Sequence, residues 1–263
     1  DNRDFDKVVE MVQGVNDMGM EVCCTLGMMN ENQAKRLKNA GLFAYNHNLD
    51  SSKEFYSDVI STREYDQRLD TIENARKAGI SVCSGGIIGM GETEEDRMGL
   101  LMSYMEMENP PESIPINALV AVEGTPLEEQ KPIEQWELIR MVATTRIAFP
   151  ESVVRLSAGR TKMSMEAQAL CFMAGAGSIF AGDKLLTTPN PEFNEDKEMF
   201  SILGLIAKES FADGEQPTTN PDPILIEKKR IAAEREAAYA KAKLNKSNKA
   251  FKPRLVTKVE TLE

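Results

Sequence analysis

Ala75-Arg76-Lys77-Ala78-Gly79-Ile80-Ser81-Val82-Cys83 is the stretch on which the fold turns. Its first half closes an amphipathic helix over residues 65–78, in which Leu69, Ile72, Ala75 and Ala78 recur at helical spacing and form one inner face. Gly79 stands where that helix stops, because helices commonly end through a left-handed residue that glycine adopts without steric cost. Ile80-Ser81-Val82-Cys83 then reads as a short apolar strand ending on a thiol.

Working outward, helix, glycine and strand follow one another twice more upstream. Residues 5–18 place Phe5, Val8, Val9, Met11, Val12 and Val15 mostly at helical spacing before Gly19, and residues 20–25 follow as a strand candidate. Asn30 with Gln33 three residues on has the form of a capping box, and Ala34, Leu37 and Ala40 line the helix before Gly41 and the apolar run 41–45. Downstream, a helix over 94–107 precedes a strand at 114–120, one over 133–149 precedes 153–157, and one over 165–173 precedes 178–180. Strands alternating with helices predict a parallel α/β sheet. Two architectures accommodate the six strands: a (β/α)8 TIM-type barrel lacking its first two β/α units, or a doubly wound open sheet. The barrel suits a chain that opens at Asp1 in what reads as mid-helix, with no initiator Met, as a fragment of something longer would. Both architectures bind ligands at the carboxyl ends of their strands, where Cys23, Asn48, Asp50, Cys83, Asn117 and Arg155 collect.

Composition narrows the class. The formal charge of −11 argues against a nucleic-acid-binding body. No apolar run approaches the ~20 residues of a membrane helix, so no membrane partner is expected and the cytoplasm is the default compartment, or the mitochondrion in a eukaryote whose targeting segment would precede Asp1. From Ile224 onward eleven Lys and Arg face five Asp and Glu, so the end of the chain is basic. The expected organisation is a body over 1–212, a linker rich in Pro, Asp, Thr and Asn over 213–223, and a charged tail over 224–263, helical to about 244 and disordered beyond. Four cysteines in a chain of this length make reduced thiols or metal ligands, rather than a disulfide scaffold.

Tyr45-Asn46-His47-Asn48-Leu49-Asp50 turns from apolar strand to amides, the sole imidazole and a carboxylate within one step. It reads either as a turn closing a strand or as a cluster of oriented donors and acceptors for a small polar ligand. Cys23 and Cys83 end two different strands, and are either small buried hydrophobes or soft-metal ligands. Cys24, next to Cys23 on a regular strand, points to the opposite face. The glycine-rich exit from Cys83 to Thr93 lacks the Lys-Ser/Thr ending of a phosphate loop and a full dinucleotide fingerprint, and Thr93 is placed to cap the next helix. Arg155 near a strand end needs a partner if it is buried.

Together, Tyr45-Asn46-His47-Asn48-Leu49-Asp50, Val82-Cys83-Ser84-Gly85-Gly86-Ile87 with Gly89-Met90-Gly91-Glu92-Thr93, Pro115-Ile116-Asn117, Val154-Arg155-Leu156-Ser157-Ala158-Gly159-Arg160 and Leu185-Leu186-Thr187-Thr188-Pro189 closely resemble the biotin synthase family of radical S-adenosylmethionine enzymes. The resemblance runs from about residue 5 to 205 and implies an α/β barrel that inserts sulfur into dethiobiotin to form biotin. It implies a 4Fe-4S cluster that cleaves S-adenosylmethionine and a 2Fe-2S cluster that donates sulfur, with flavodoxin or ferredoxin as electron donor and a homodimeric assembly. By motif match Cys23, Cys83 and Arg155 are 2Fe-2S ligands. Asn48, Asp50 and Arg68 meet S-adenosylmethionine, Ile87 and Val120 line its adenine pocket, and Asn48 and Asn117 meet dethiobiotin. The family's Cys-x3-Cys-x2-Cys loop and one further cysteine ligand are missing from the chain, and are expected in a segment preceding Asp1. The expected role is therefore that of a biotin synthase fragment, inactive alone. A related radical enzyme of cofactor biosynthesis or metallocluster maturation, or a non-catalytic barrel, are the alternatives.

Overall fold

Parallel strands succeed one another across the sheet in the order in which they occur in the chain. The computed structural model describes residues 3–181, 184–185, 188–189, 193–209 and 222–250, and the chain divides into two units, Asp1–Thr219 and Asn220–Glu263. In the first, helix α1 (Arg3–Asp17) leads to strand β1 (Val22–Cys24), α2 (Glu31–Asn39) leads to β2 (Leu42–Asn46), and α3 (Lys53–Val59) with α4 (Tyr65–Lys77) leads to β3 (Ser81–Cys83) and β4 (Gly86–Ile88). Next come α5 (Glu94–Met105) and β5 (Ser113–Ala118), then α6 (Gln135–Ala148) and β6 (Val153–Leu156), then a 3-10 turn (Arg160–Lys162), α7 (Met165–Ala174) and β7 (Ser178–Ile179). An antiparallel pair, β8 (Lys184–Leu185) and β9 (Thr188–Pro189), precedes α8 (Phe193–Leu203).

The sheet order is β1-β2-β3-β5-β6-β7 with β4 also on β5, and every pairing is parallel. A doubly wound sheet reverses its strand order at a switch point, whereas a barrel wall adds each strand beside the last. This sheet never reverses, so it is part of a (β/α)8 wall.

Local signals account for most of the elements. Asn30 and Gln33 form the reciprocal capping box that starts α2, and Thr93 with Asp96 does the same for α5. Gly79 sits at φ +72° and releases the chain from α4 into β3. Strand residues Leu42, Tyr45, Val82, Ile114, Ile116, Val154 and Leu156 are buried against helix residues Leu37, Ile72, Ala75, Leu100, Tyr104, Leu138 and Val142, the core of this unit.

Two elements depart from the expected pattern. Helix α3 occupies a stretch without a helical expectation, started by the Ser52 side chain accepting from Phe55 N–H at 3.1 Å. Strand β4 lies within the expected glycine-rich exit. It continues the line of β3, since Cys83 faces Ser113 and Gly86 faces Ile116, three residues along each strand. The second unit holds α9 (Pro223–Ala250), which passes Asn245, where disorder was expected. The expected linker residues 213–221 and the end of the tail, 251–263, lie outside the described residues. Among the described residues no helix is long and apolar enough to cross a membrane.

Candidate functional site

The register of the sheet assembles one polar face. Cys23 pairs with Ala44, Ala44 with Ser81, Asn46 with Cys83, Cys83 with Ser113, and Arg155 with Pro115 and Ser178. Residues in register, and those two apart on one strand, share a face. Cys23, Asn46, Cys83, Ser113, Asn117 and Arg155 therefore lie on the face away from the helices. Cys24 pairs with Tyr45 and so with Val82, on the opposite face, as the alternation predicted.

Ser113 links the two sides of the thiol cluster. The Cys83 thiol donates to Ser113 Oγ at 3.5 Å, and Arg155 Nε donates to the same oxygen at 3.3 Å. Arg155 is half-buried, and its guanidinium lies 5.0 Å from the centre of the Phe180 ring. Among the described residues no carboxylate pairs with it. Cys23 stands on the edge strand with surface open to solvent. Enough protein surrounds its sulfur that lost hydration pushes the thiol up to about 12, with Cys83 and Cys24 adding to the rise and Arg155 and the Asn46 backbone opposing it. Burial likewise raises Cys83, against Ser113 and Arg155.

At the end of β2 a second cluster forms around an irregularity. Asn46 faces Cys83 and Asp50 faces Gly86, so four steps of one strand match three of the other. Asp50 absorbs the difference at φ +68°, the one positive φ outside glycine among the described residues. Its N–H donates to Gly85 O at 3.2 Å, and its carbonyl accepts from Ile87 N–H at 2.8 Å. Gly85 N–H donates to Asn48 Oδ1 at 3.1 Å. Gly85 has no room for a side chain, because a Cβ there would lie 1.8 Å from Pro115 O.

Arg68 closes this cluster from α4. Its Nε donates to Tyr56 Oη at 2.6 Å, Nη1 to Asn48 O at 2.7 Å, and Nη2 meets Asp50 Oδ2 at 2.9 Å. Burial pushes the Asp50 carboxyl above the usual carboxylate range, with Arg68 and Asn48 pulling it back. His47 is buried, with no partner for Nε2 among the described residues, and burial followed by the nearby Arg68 charge lowers it to about 4, so the ring is neutral at physiological pH.

Asn117 ties β5 to β4 and to the chain just past β6. Its Nδ2 donates to Gly86 O at 3.0 Å and its Oδ1 accepts from Ala158 N–H at 3.2 Å. Ile87 lies opposite it in register, and both are half-buried. Val120 is half-buried just past β5, where Leu119 N–H donates to Ile88 O at 2.9 Å. Beside it the Glu92 carboxylate accepts from Gly89 N–H at 2.8 Å, Met90 N–H at 2.7 Å and Arg97 Nε at 2.9 Å, which fixes the exit of β4. Sequence reading left Glu92, Ser113, Tyr56 and Phe180 without roles. Only Ser113 carried a signal, two residues before Pro115 and four before Asn117 on the same face of β5. A cavity of about 490 Å³ between the start of α2 and α4, lined by Met28, Asn30, Arg63, Gln67 and Asn74 among others, shares no residue with this face.

Residues 1–102 match the Radical SAM superfamily, and residues 115–206 match the Biotin and Thiamin Synthesis associated domain. The chain is 65% identical over 219 residues to a biotin synthase of Flavobacterium johnsoniae, covering 83% of this chain and 60% of that protein. It is 52% identical over 230 residues to a biotin synthase of a Nostoc species, covering 86% of this chain and 67% of that protein. The chain belongs to the biotin synthase family. It spans about three fifths to two thirds of the length of these biotin synthases. The two matched regions both contribute to these clusters: Cys23, Asn48, Asp50, Arg68, Cys83 and Ile87 come from the first, and Asn117, Val120 and Arg155 from the second. Methylornithine synthase (PylB) superposes with a TM-score of 0.66 at 20% identity, covering 77% of this chain and 64% of that one, a likeness of fold alone.

Proposed function

We propose that the chain carries the sulfur-donor and substrate side of a biotin synthase, which inserts sulfur into dethiobiotin by radical chemistry to form biotin. The observation that carries this reading is the register that sets Cys23, Cys83 and Arg155 on one face, beside the amides and carboxylate of Asn48, Asp50 and Asn117. Two thiols and a guanidinium without a carboxylate partner among the described residues form a donor set suited to a soft, anionic metal–sulfide group rather than to a hard cation. Three donors leave one coordination position to be supplied from outside the described residues, among which no His, Cys, Asp and Glu cluster could hold a metal ion alone. Cys23, Cys83 and Arg155 would hold the family's 2Fe-2S cluster, which would supply sulfur, while a 4Fe-4S cluster with S-adenosylmethionine would supply the radical. Because both thiols are raised, taking up the metal group releases their protons.

In this reading Asp50 and Asn48 hold the ribose and neighbouring groups of S-adenosylmethionine, and Ile87 and Val120 flank its adenine. Of the five N–H groups of Arg68, three are engaged within the protein, leaving two for the cofactor's carboxylate. Asn117 and Asn48 each keep hydrogen-bonding capacity beyond their backbone contacts for the ureido group of dethiobiotin. The reading brings with it an external electron donor such as flavodoxin or ferredoxin, a homodimer, and a compartment that keeps thiols reduced. The test uses the full-length protein, reconstituted anaerobically with iron and sulfide and supplied with dethiobiotin, S-adenosylmethionine and reduced flavodoxin. Biotin should form, and should be lost in Cys23→Ala and Cys83→Ala. Biotin formation undiminished in both variants would sink the reading.

A further inference from the structure

Tyr104 is a fully buried phenol on α5, on the helix side of the sheet. Its hydroxyl lies 3.0 Å from Gly85 O and 3.1 Å from Ser84 Oγ. A carbonyl only accepts, so the phenol's single hydrogen goes to Gly85 O and the Ser84 hydroxyl donates to the phenol. The same Gly85 carbonyl accepts from Asp50 N–H, and Gly85 N–H donates to Asn48 Oδ1. One residue is thus tied to both polar groups that end β2 and, from behind, to a helix.

We propose that Tyr104 is a positioning residue, whose hydroxyl holds the Gly85 carbonyl and through it sets Asn48 and Asp50 for the ribose of a nucleoside-bearing cofactor. The proposal rests on the functional reading above. Gly85 and Gly86 are adjacent, and paired glycines have the greatest backbone freedom of any dipeptide. Gly85 has no room for a stiffening side chain, since a Cβ there would meet Pro115 O at 1.8 Å, and a Cβ at Gly86 would have to displace the buried Leu100, whose Cδ2 would lie 2.3 Å away. The restraint has to come from a neighbour. Packing alone does not call for a phenol, because the ring's edge-on contact with Phe149, 6.3 Å between centres, is one that Phe would make equally well. A buried hydroxyl is costly unless bonded, and here its bonds at 3.0 and 3.1 Å lead to the Ser84-Gly85 turn, with the Leu49 backbone of the facing segment as a further partner.

Tyr104→Phe in the full-length protein, with its clusters reconstituted, provides the test through two readouts. Amide hydrogen exchange at Asp50 and Gly85 needs no cofactor, and should quicken by about tenfold relative to amides of α2. The KM for S-adenosylmethionine should rise by about tenfold with kcat within about twofold, as expected for lost binding geometry. Unchanged exchange at Asp50 overturns the brace, and faster exchange with an unchanged KM overturns the positioning role. A wild-type protein without turnover counts against the functional reading, while the exchange readout still decides on the brace. Should Tyr104→Phe fail to fold, the double variant Ser84→Ala with Tyr104→Phe removes the stranded hydroxyl of Ser84. Its KM should remain raised, and a return to the wild-type value overturns the proposal.

Discussion

Arg68 Nη2 and Asp50 Oδ2 lie 2.9 Å apart, with their side chains only 16% and 15% exposed. The pair joins α4 to the one described non-glycine residue with positive φ, and Arg68 also holds the carbonyl of Asn48 two residues earlier. A strained backbone persists only when its surroundings over-determine it. Here a guanidinium, a bulge in the β2 register and the Gly85 peptide do so together.

Removing one partner leaves a partly buried charge uncompensated. Arg68→Gln is expected to lower stability by about 3 kcal/mol, and Asp50→Asn by less, because the guanidinium it strands keeps its bonds to Tyr56 Oη and Asn48 O. In the double variant the losses should fall short of their sum by about 1–2 kcal/mol. Urea unfolding of all four proteins measures the coupling, and strict additivity would show the pair to be energetically idle.

Gly85→Ala and Gly79→Ala separate crowding from backbone strain. At Gly79 the nearest atom to an added Cβ is the flexible end of Lys38 at 3.9 Å, so the cost is that of φ +72° alone, about 1–2 kcal/mol. At Gly85 the obstacle is the Pro115 carbonyl on β5, so the sheet has to open between β3 and β5, at a cost above about 4 kcal/mol. Equal unfolding midpoints for the two variants would contradict this account.

Stability should also report on His47, the only histidine of the chain. Its folded pKa of about 4 lies below the ordinary value of 6.5, so between these values the unfolded chain binds a proton that the folded one refuses. Stability contributed by neutral His47 is therefore present above pH 6.5, falls as pH drops through this window, and levels off below about 4. The full effect is at most about 3 kcal/mol. Asp50, whose carboxyl is raised, works in the opposite sense. Comparing His47→Gln with wild type at each pH isolates the histidine, and parallel stability curves from pH 7 to 4 would contradict its depressed pKa.

Arg160 and Asp196 bind α8 to the chain just past β6, with Nη2 donating to both carboxylate oxygens at 2.8 and 2.9 Å. Both residues are buried, and Arg160 Nε and Nη1 have no partner among the described residues. Asp196→Asn should cost about 3–5 kcal/mol by stranding the guanidinium, whereas Arg160→Met with Asp196→Leu should cost far less, since both charges and the unpartnered N–H groups go together. Denaturant midpoints decide, and a double variant weaker than Asp196→Asn would refute the argument.

Much of this protein was legible because its signals are local. The Asn30–Gln33 and Thr93–Asp96 boxes, the stop at Gly79 and the opposed faces of Cys23 and Cys24 each depend on residues within four positions of one another. Motif resemblance, equally a property of the linear chain, carried the family and the candidate ligands Cys23, Cys83 and Arg155. Other features arise from residues far apart in sequence. Strand order, which separated a barrel wall from a doubly wound sheet, is a matter of which backbones pair. That β3 runs on into β4 depends on Ser113 and Ile116 arriving alongside, and the need for glycine at 85 depends on where Pro115 O comes to rest. Arg68 had a charge but no visible partner until folding set α4 over Asp50, and Tyr104 was one more apolar ring until α5 lay behind Gly85. Period and caps are written by neighbours along the chain, and so by sequence alone. The aim of a hydrogen bond across some twenty to forty residues is decided only when packing brings donor and acceptor within about 3 Å.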